Sequence, residues 1–249
     1  MDIEVCAFSI ESCLNAQQAG ARRVELCGGL YEGGTTPNFG LIERARALLS
    51  IQLYVMIRPR GGDFCYDEEE FKVMQSDIRA AKSLGADGVV FGILLPDGKI
   101  DTARTAELAE LAQPMGFTFH RAFDMTREPY EALEAVIQTG AERILTSGQQ
   151  NTALEGLDLI QQLAQKAAGR IEIMAGSGVN AGNALLLAKT GVDALHLTGK
   201  AVKNGAMIYQ KTAVSMASVL PANEYEIIYS NALNIRAVID AVNGEKVNY

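Results

Sequence analysis

Tryptophan is absent from this chain, histidine occurs twice, and no apolar run approaches the length of a bilayer span, which argues against a membrane-spanning helix. The opening Met-Asp-Ile-Glu-Val carries no basic segment leading into an apolar one, so a cytoplasmic protein is expected. Positive charge is also short: 22 lysines and arginines against 30 acidic residues leave a net charge of −8. A chain of that sign has no electrostatic footprint for nucleic acid or an anionic membrane. The four cysteines, Cys6, Cys13, Cys27 and Cys65, form no Cys-x-x-Cys pair and are expected to stay thiols. No low-complexity segment or Pro/Ser-rich linker divides the chain, and residues 1–249 are taken as a single domain. With 48% hydrophobic residues, that length can bury a sizeable core.

A weak internal repeat sets the expected architecture. Gly20-Ala-Arg-Arg-Val-Glu-Leu26, Gly85-Ala-Asp-Gly-Val-Val-Phe91, Gly140-Ala-Glu-Arg-Ile-Leu145 and Gly191-Val-Asp-Ala-Leu-His-Leu197 share one plan. A helix ends in glycine, two or three residues turn the chain, and a short apolar strand follows. The glycines stand 65, 55 and 51 residues apart, close to the roughly 60 residues that two βα units occupy in an eight-fold barrel. Four further strands are predicted at Ile3 to Phe8, Gln52 to Ile57, Phe117 to His120 and Ile171 to Ala175. Helical periodicity fills the gaps, with Asn180 as an expected N-cap and Pro129 near a helix start. The pattern blurs from Lys203 to Asn223, and a last helix is predicted to carry Tyr225, Ile228, Ala232, Ile235, Val238, Ile239 and Val242. Eight strands alternating with helices give an α/β chain folded as a (β/α)8 TIM barrel. An open doubly wound sheet is disfavoured because no Gly-x-Gly-x-x-Gly follows the first strand.

In such a barrel the functional face lies at the strand C-termini, and here the strand ends are polar. After the third strand comes Arg58-Pro-Arg-Gly-Gly-Asp-Phe-Cys-Tyr66, in which Arg58, Arg60 and Asp63 are poor core material, and the guanidinium forks and free backbone N–H groups of the stretch can hold an anion. Both histidines, His120 and His196, fall at strand ends, as do Arg121, Asp124, Thr146 and Ser147. Strand alternation turns His120 inward with Thr118, against Phe117 and Phe119; by the same parity Glu25 goes with Cys27, and Arg58 with Met56 and Tyr54. An inward Glu25, Arg58 and His120 make an acid/base and anion-binding set, or else an internal ion pair that closes the barrel. Gly176-Ser-Gly178 runs on to Asn180 and can cradle a phosphate or simply connect strand to helix.

No His-x-His or Glu-x-x-His occurs, which disfavours a hard-metal hydrolase. No strand-end lysine other than Lys200 is available for a Schiff base, and no organic cofactor is predicted. Cys6 and Cys27 end adjacent strands; as thiolates they suit a soft ion such as Cu(I), and as thiols they suit the core.

Arg58-Pro-Arg-Gly-Gly-Asp-Phe64, Phe119-His-Arg-Ala-Phe-Asp124, Leu145-Thr-Ser-Gly148, Glu25-Leu-Cys27 and Glu32-Gly-Gly-Thr-Thr-Pro37 resemble the CutC family, in order from the first strand to the final helix. That resemblance implies a cytoplasmic (β/α)8 barrel, usually a homo-oligomer, named for copper homeostasis, with Cys6 and Cys27 as candidate Cu(I) ligands. One departure is Leu197-Thr-Gly-Lys200, where the family tends to carry small residues after the eighth-strand histidine. Two functions follow. One is a copper-binding homeostasis protein that uses Cys6 and Cys27. The other is an enzyme on a small anionic or phosphorylated metabolite: Arg58, Arg60, Arg121, His196 and the 176–180 loop hold the anion, Glu25 or His120 moves a proton, and Asp124 orients the base. A non-catalytic scaffold is the third reading.

Overall fold

The computed structural model describes residues 1–211, 213–214, 216 and 223–244. Eight parallel strands close into a barrel in sequence order: β1 (Asp2–Ala7), β2 (Arg23–Leu26), β3 (Gln52–Met56), β4 (Gly88–Phe91), β5 (Gly116–Phe119), β6 (Arg143–Thr146), β7 (Glu172–Gly176) and β8 (Ala194–Leu197). Helices α1 (Ile10–Ala19), α2 (Phe39–Leu48), α3 (Glu68–Ser83), α4 (Thr102–Ala112), α5 (Pro129–Gln138), α6 (Leu157–Ala167) and the short α7 (Ala184–Ala188) connect them. This is the (β/α)8 architecture that the glycine spacing predicts.

Local chemistry explains the elements. In α3 the Asp67 side chain caps the Glu70 N–H while Glu70 returns a bond to the Asp67 N–H, and the acidic first turn complements the helix dipole. Phe71, Met74, Ile78 and Ala81 then bury one stripe against the sheet. Full burial of such a side chain contributes roughly 1.5–3 kcal/mol. The predicted parity holds: Val24, Leu26, Val55, Ile57, Phe117 and Phe119 pack outward beneath the helices, while Cys6, Cys27, Tyr54, Met56 and Val90 cluster inside the barrel.

The interior is layered. At its base Tyr54 lies across β4 and β5, where Gly88 and Gly116 leave room for it; a Cβ on Gly88 would stand 2.2 Å from the ring. Its hydroxyl donates to Glu142 Oε2 at 2.9 Å. Beside it Arg23 pairs with Glu4, and Arg143 donates to Thr118 Oγ1 at 3.0 Å. Above these come apolar side chains, and then the mouth.

After β8 the chain forms an antiparallel hairpin of β9 (Lys200–Asn204) and β10 (Glu226–Ser230), followed by α8 (Ala232–Asn243). The expected long last helix is therefore corrected. Glu226-Ile-Ile-Tyr-Ser230 is rich in strand formers, and Ile228 sits in β10, with Tyr225 just before it. Only from Ala232, capped by Asn231, does the helix begin. Of the blurred stretch after Lys203, residues 212, 215 and 217–222 lie outside the described residues. Asn180 caps no helix: α7 starts at Ala184, and Asn183 occupies its N-cap position. Among the described residues no helix is long and apolar enough to cross a membrane.

Candidate functional site

The barrel mouth holds a cavity of about 380 Å³ at the strand C-termini. Two walls of different chemistry face each other across it.

The first wall comes from β1, β2 and β8. Register places Cys6 beside Glu25, and Glu4 beside both Arg23 and His196. Cys27 follows β2 directly, and its sulfur lies 3.7 Å from that of Cys6. That separation is well beyond the roughly 2.05 Å of a disulfide, so both are free thiols. His196 Nδ1 is 2.8 Å from Glu4 Oε1, and its Nε2 is 3.6 Å from Glu25 Oε2. Burial opposes ionisation of Glu4, yet the His196 hydrogen bond and the Arg23 guanidinium hold it down to about 2. Burial would likewise discharge His196, but Glu25, Cys6 and Glu4 outweigh it and raise the imidazole well above its usual range. The hydrogen bond from Cys27, assisted by His196, brings Cys6 down to about 6. Burial and the Cys6 charge push the Glu25 carboxyl well up, and Cys27 is likewise raised. The wall sets the Cys6 thiolate against the His196 imidazolium, with the Cys27 thiol and Glu25 alongside. Donor atoms of Cys6, Glu25 and His196 lie within 4.8 Å of one another, close enough to share a metal ion.

The second wall comes from the ends of β3 and β5. Arg58 is 6% exposed, and its Nη groups donate to the carbonyls of Glu32 (2.7 Å), Gly34 (3.0 Å) and Gly62 (2.8 Å). Thr36 fixes its backbone from both sides. The Glu32 to Pro37 segment is thus wrapped around the arginine, which requires the left-handed Gly33 and Gly34. His120 accepts the Ala122 N–H at Nδ1 (3.2 Å), which leaves the proton on Nε2. Burial, then the charge of Arg58, press this imidazole down to about 3. At neutral pH His120 is therefore a neutral imidazole that offers a hydrogen-bond donor at Nε2.

The CutC family model matches residues 1–201. The chain belongs to the CutC family. It is 47% identical over 241 residues to a family protein CutC of Chromobacterium violaceum, covering 96% of this chain and 97% of that protein. A mouse protein named as a copper homeostasis protein cutC homolog is 44% identical over 237 residues, covering 95% of this chain and 87% of its own length. Among solved structures, a CutC chain from Streptococcus agalactiae gives a TM-score of 0.76 at 37% identity, covering 80% of this chain and 98% of that one.

Within this CutC barrel the other sequence candidates divide. Arg121, Gly178, Lys200 and Thr198 line the cavity with Cys6, Glu25, Arg58, His120 and His196. Arg60 does not. Its charge is met by Glu70 (2.5 Å) and Asp63 (3.2 Å), and it donates to the Cys65 carbonyl. Asp63 is 73% exposed and accepts the Cys65 N–H, so both fold the Arg-Pro-Arg-Gly-Gly-Asp loop instead of holding an anion. Asp124 does not orient His120. Its oxygens accept from Thr146 Oγ1 (2.5 Å), Ser147 N (3.0 Å), Ser147 Oγ (2.9 Å), Gln149 N (3.2 Å) and Arg121 Nε (2.7 Å). Thr146 and Ser147 are fully buried by this arrangement and stitch β6 to the segment after β5; neither faces a ligand.

Gly176 clears space for its neighbours, since a Cβ there would stand 2.5 Å from Leu145 and 3.2 Å from His196 Cβ. In the 176–180 loop the bonding favours the connector over the phosphate cradle. The N–H groups of Asn180 and Gly182 are taken by Asn183 Oδ1 and Asn180 Oδ1, and α7 is a five-residue helix. Sequence reasoning missed Glu4 and Arg23, which set the charge of His196. The signal was available: each precedes an inward residue, Cys6 or Glu25, by two positions on the same strand.

Proposed function

We propose that this chain binds copper(I) as cargo at the barrel mouth through Cys6 and Cys27, in the homeostasis role for which relatives such as the mouse and human proteins are named. The observation that carries the reading is the pair of sulfurs 3.7 Å apart on adjacent strand ends, with Cys6 at the cavity wall. Thiolates are the donors a soft monovalent ion selects. Cys6 is the half of the pair whose proton is already lost near neutral pH, through Cys27 and the His196 imidazolium. Cys27 keeps its proton until a cation replaces it, so loading would release about one proton per ion. Met56 and Cys27 both pack against Gly34, which puts a thioether beside the pair. A reducing cytoplasm suits the four thiols.

An anaerobic copper(I) competition titration against a chelator tests this, with wild type compared to the Cys6→Ser/Cys27→Ser double variant. One ion per chain, lost in the double variant, is the expected result. Binding indifferent to both substitutions would sink the reading. Acid–base turnover of a small anionic metabolite is the second reading, favoured by the buried Arg58 that no carboxylate neutralises among the described residues; there Glu25, whose carboxyl is pushed well up by burial, or His120 would move the proton.

A further inference from the structure

Copper binding uses the cysteine wall and leaves the opposite wall without a task. Among the described residues no ion pair includes Arg58, whose Nη groups spend themselves on neutral carbonyls. The Tyr66 hydroxyl lies beside this guanidinium, but its pKa is raised to about 12, so it is neutral and leaves the charge uncompensated. A buried guanidinium is ordinarily paired, because removing such a charge from water without a counter-ion is unfavourable. Next to it, His120 is 4% exposed and its Nε2–H has no acceptor among the described residues. The two side chains flank one aromatic ring: Phe64 lies 4.9 Å from Arg58 Cζ and 5.0 Å from the His120 ring. All three line the same cavity.

A native site that buries an unpaired cation beside an unpaired donor is lacking an anion. We propose that the Arg58–His120 wall is the seat of a small organic monocarboxylate, whose oxygens take up the Arg58 charge and the His120 Nε2–H while its apolar part lies against Phe64. Charge selects the class. One uncompensated guanidinium and one neutral imidazole match a single negative charge. A phosphate dianion would need further donors, and in the 176–180 loop the Asn180 N–H and the Ser177 hydroxyl are already committed, to Asn183 Oδ1 and the Asn151 carbonyl. Arg121 supplies no second free charge, since Asp124 holds its Nε at 2.7 Å. The volume of about 380 Å³ falls in the range of small-metabolite pockets. Nothing in this seat involves the sulfurs, so it stands whether or not copper binds.

The test is carried out on the full-length, metal-free protein, following the His120 side-chain nitrogen and carbon resonances by NMR. Benzoate and acetate are titrated to millimolar concentration, with benzamide, acetamide and inorganic phosphate as controls. The expected result is a saturable shift of the His120 resonances with the carboxylates and none with the neutral amides or phosphate. In Arg58→Gln the carboxylate affinity should fall about tenfold or more, as for loss of a charge-assisted hydrogen bond. If that variant fails to fold, the wild-type titration decides alone. No shift with either carboxylate, an equal response to benzamide, or tighter binding of phosphate than of benzoate overturns the assignment.

Discussion

Replacing His120 with asparagine tests the electrostatics of the arginine wall through acid stability. Asparagine Oδ1 can accept the Ala122 N–H that His120 Nδ1 takes at 3.2 Å, so the turn after β5 is retained. What disappears is a titrating group. In the folded chain the imidazole is held down from 6.5 to about 3, first by burial and then by Arg58. Between those limits the unfolded chain takes up a proton that the folded chain refuses. The contribution is therefore fully present above pH 6.5, falls as the pH drops, and stops falling below about pH 3. At about 1.4 kcal/mol per unit the whole window is worth on the order of 5 kcal/mol, and the part between about pH 7 and pH 5 about 2 kcal/mol.

At pH 7 the variant should be the less stable protein, by about 1–3 kcal/mol, because the ring that packs on Phe64 and Phe119 is gone. Urea unfolding of both proteins over a pH series gives the gap at each pH. Other buried groups titrate too, Glu4 among them, but they are common to both proteins and cancel in the difference. The gap should close by about 2 kcal/mol on going from about pH 7 to pH 5. A gap that stays constant across that range would show that His120 is not suppressed, and the electropositive wall would have to be abandoned.

Glu4→Gln removes the carboxylate that bridges Arg23 and His196, and should cost about 3–5 kcal/mol in chemical denaturation, with the His196 pKa falling when followed by NMR. An unchanged His196 titration would mean that Glu4 does not hold it. Gly88→Ala places a methyl 2.2 Å from the Tyr54 ring and should destabilise by about 3 kcal/mol; Tyr54→Leu in the same chain should recover part of that loss, and strict additivity would refute the clash. Alkylation by iodoacetamide should single out Cys6 with a midpoint near its pKa of about 6, while Cys13, pushed up to about 12 by burial, stays unmodified; a Cys6 midpoint in the ordinary thiol range would remove the thiolate from the site.

Legibility in the sequence followed period and failed with distance. Alternation along a strand is a local rule, so the inward placement of Glu25, Arg58 and His120 could be read from three short apolar runs, and the approach of Cys6 to Cys27 from two adjacent strand ends. The role of Asp124 could not. It collects five hydrogen bonds from residues that stand up to 25 positions away, and nothing near it in sequence distinguishes a stitch from a catalytic carboxylate. Arg60 fails for a related reason: its counter-ion, Glu70, lies in the capping box of α3, which a loop motif does not reveal. Tyr225 and Ile228 fit a helical stripe as well as a strand, and pairing with Lys200–Asn204 decides between them.

The two walls also differ in how their charge is balanced, and that difference fixes what each can receive. Up the first wall the signs alternate: Arg23 positive, Glu4 negative, His196 positive, Cys6 negative. Each charge there is met by its neighbour, so a cation arriving at the Cys6 thiolate would compete with the His196 imidazolium, and the proton on Cys27 is the one that leaves. The second wall has no such chain. Arg58 faces a neutral imidazole and neutral carbonyls, and among the described residues no carboxylate pairs with it. A copper(I) ion that displaces the Cys27 proton would leave the net charge of the first wall unchanged. Occupation of the sulfurs should therefore leave anion affinity at Arg58 nearly unaltered, and linkage requires the same indifference in the other direction.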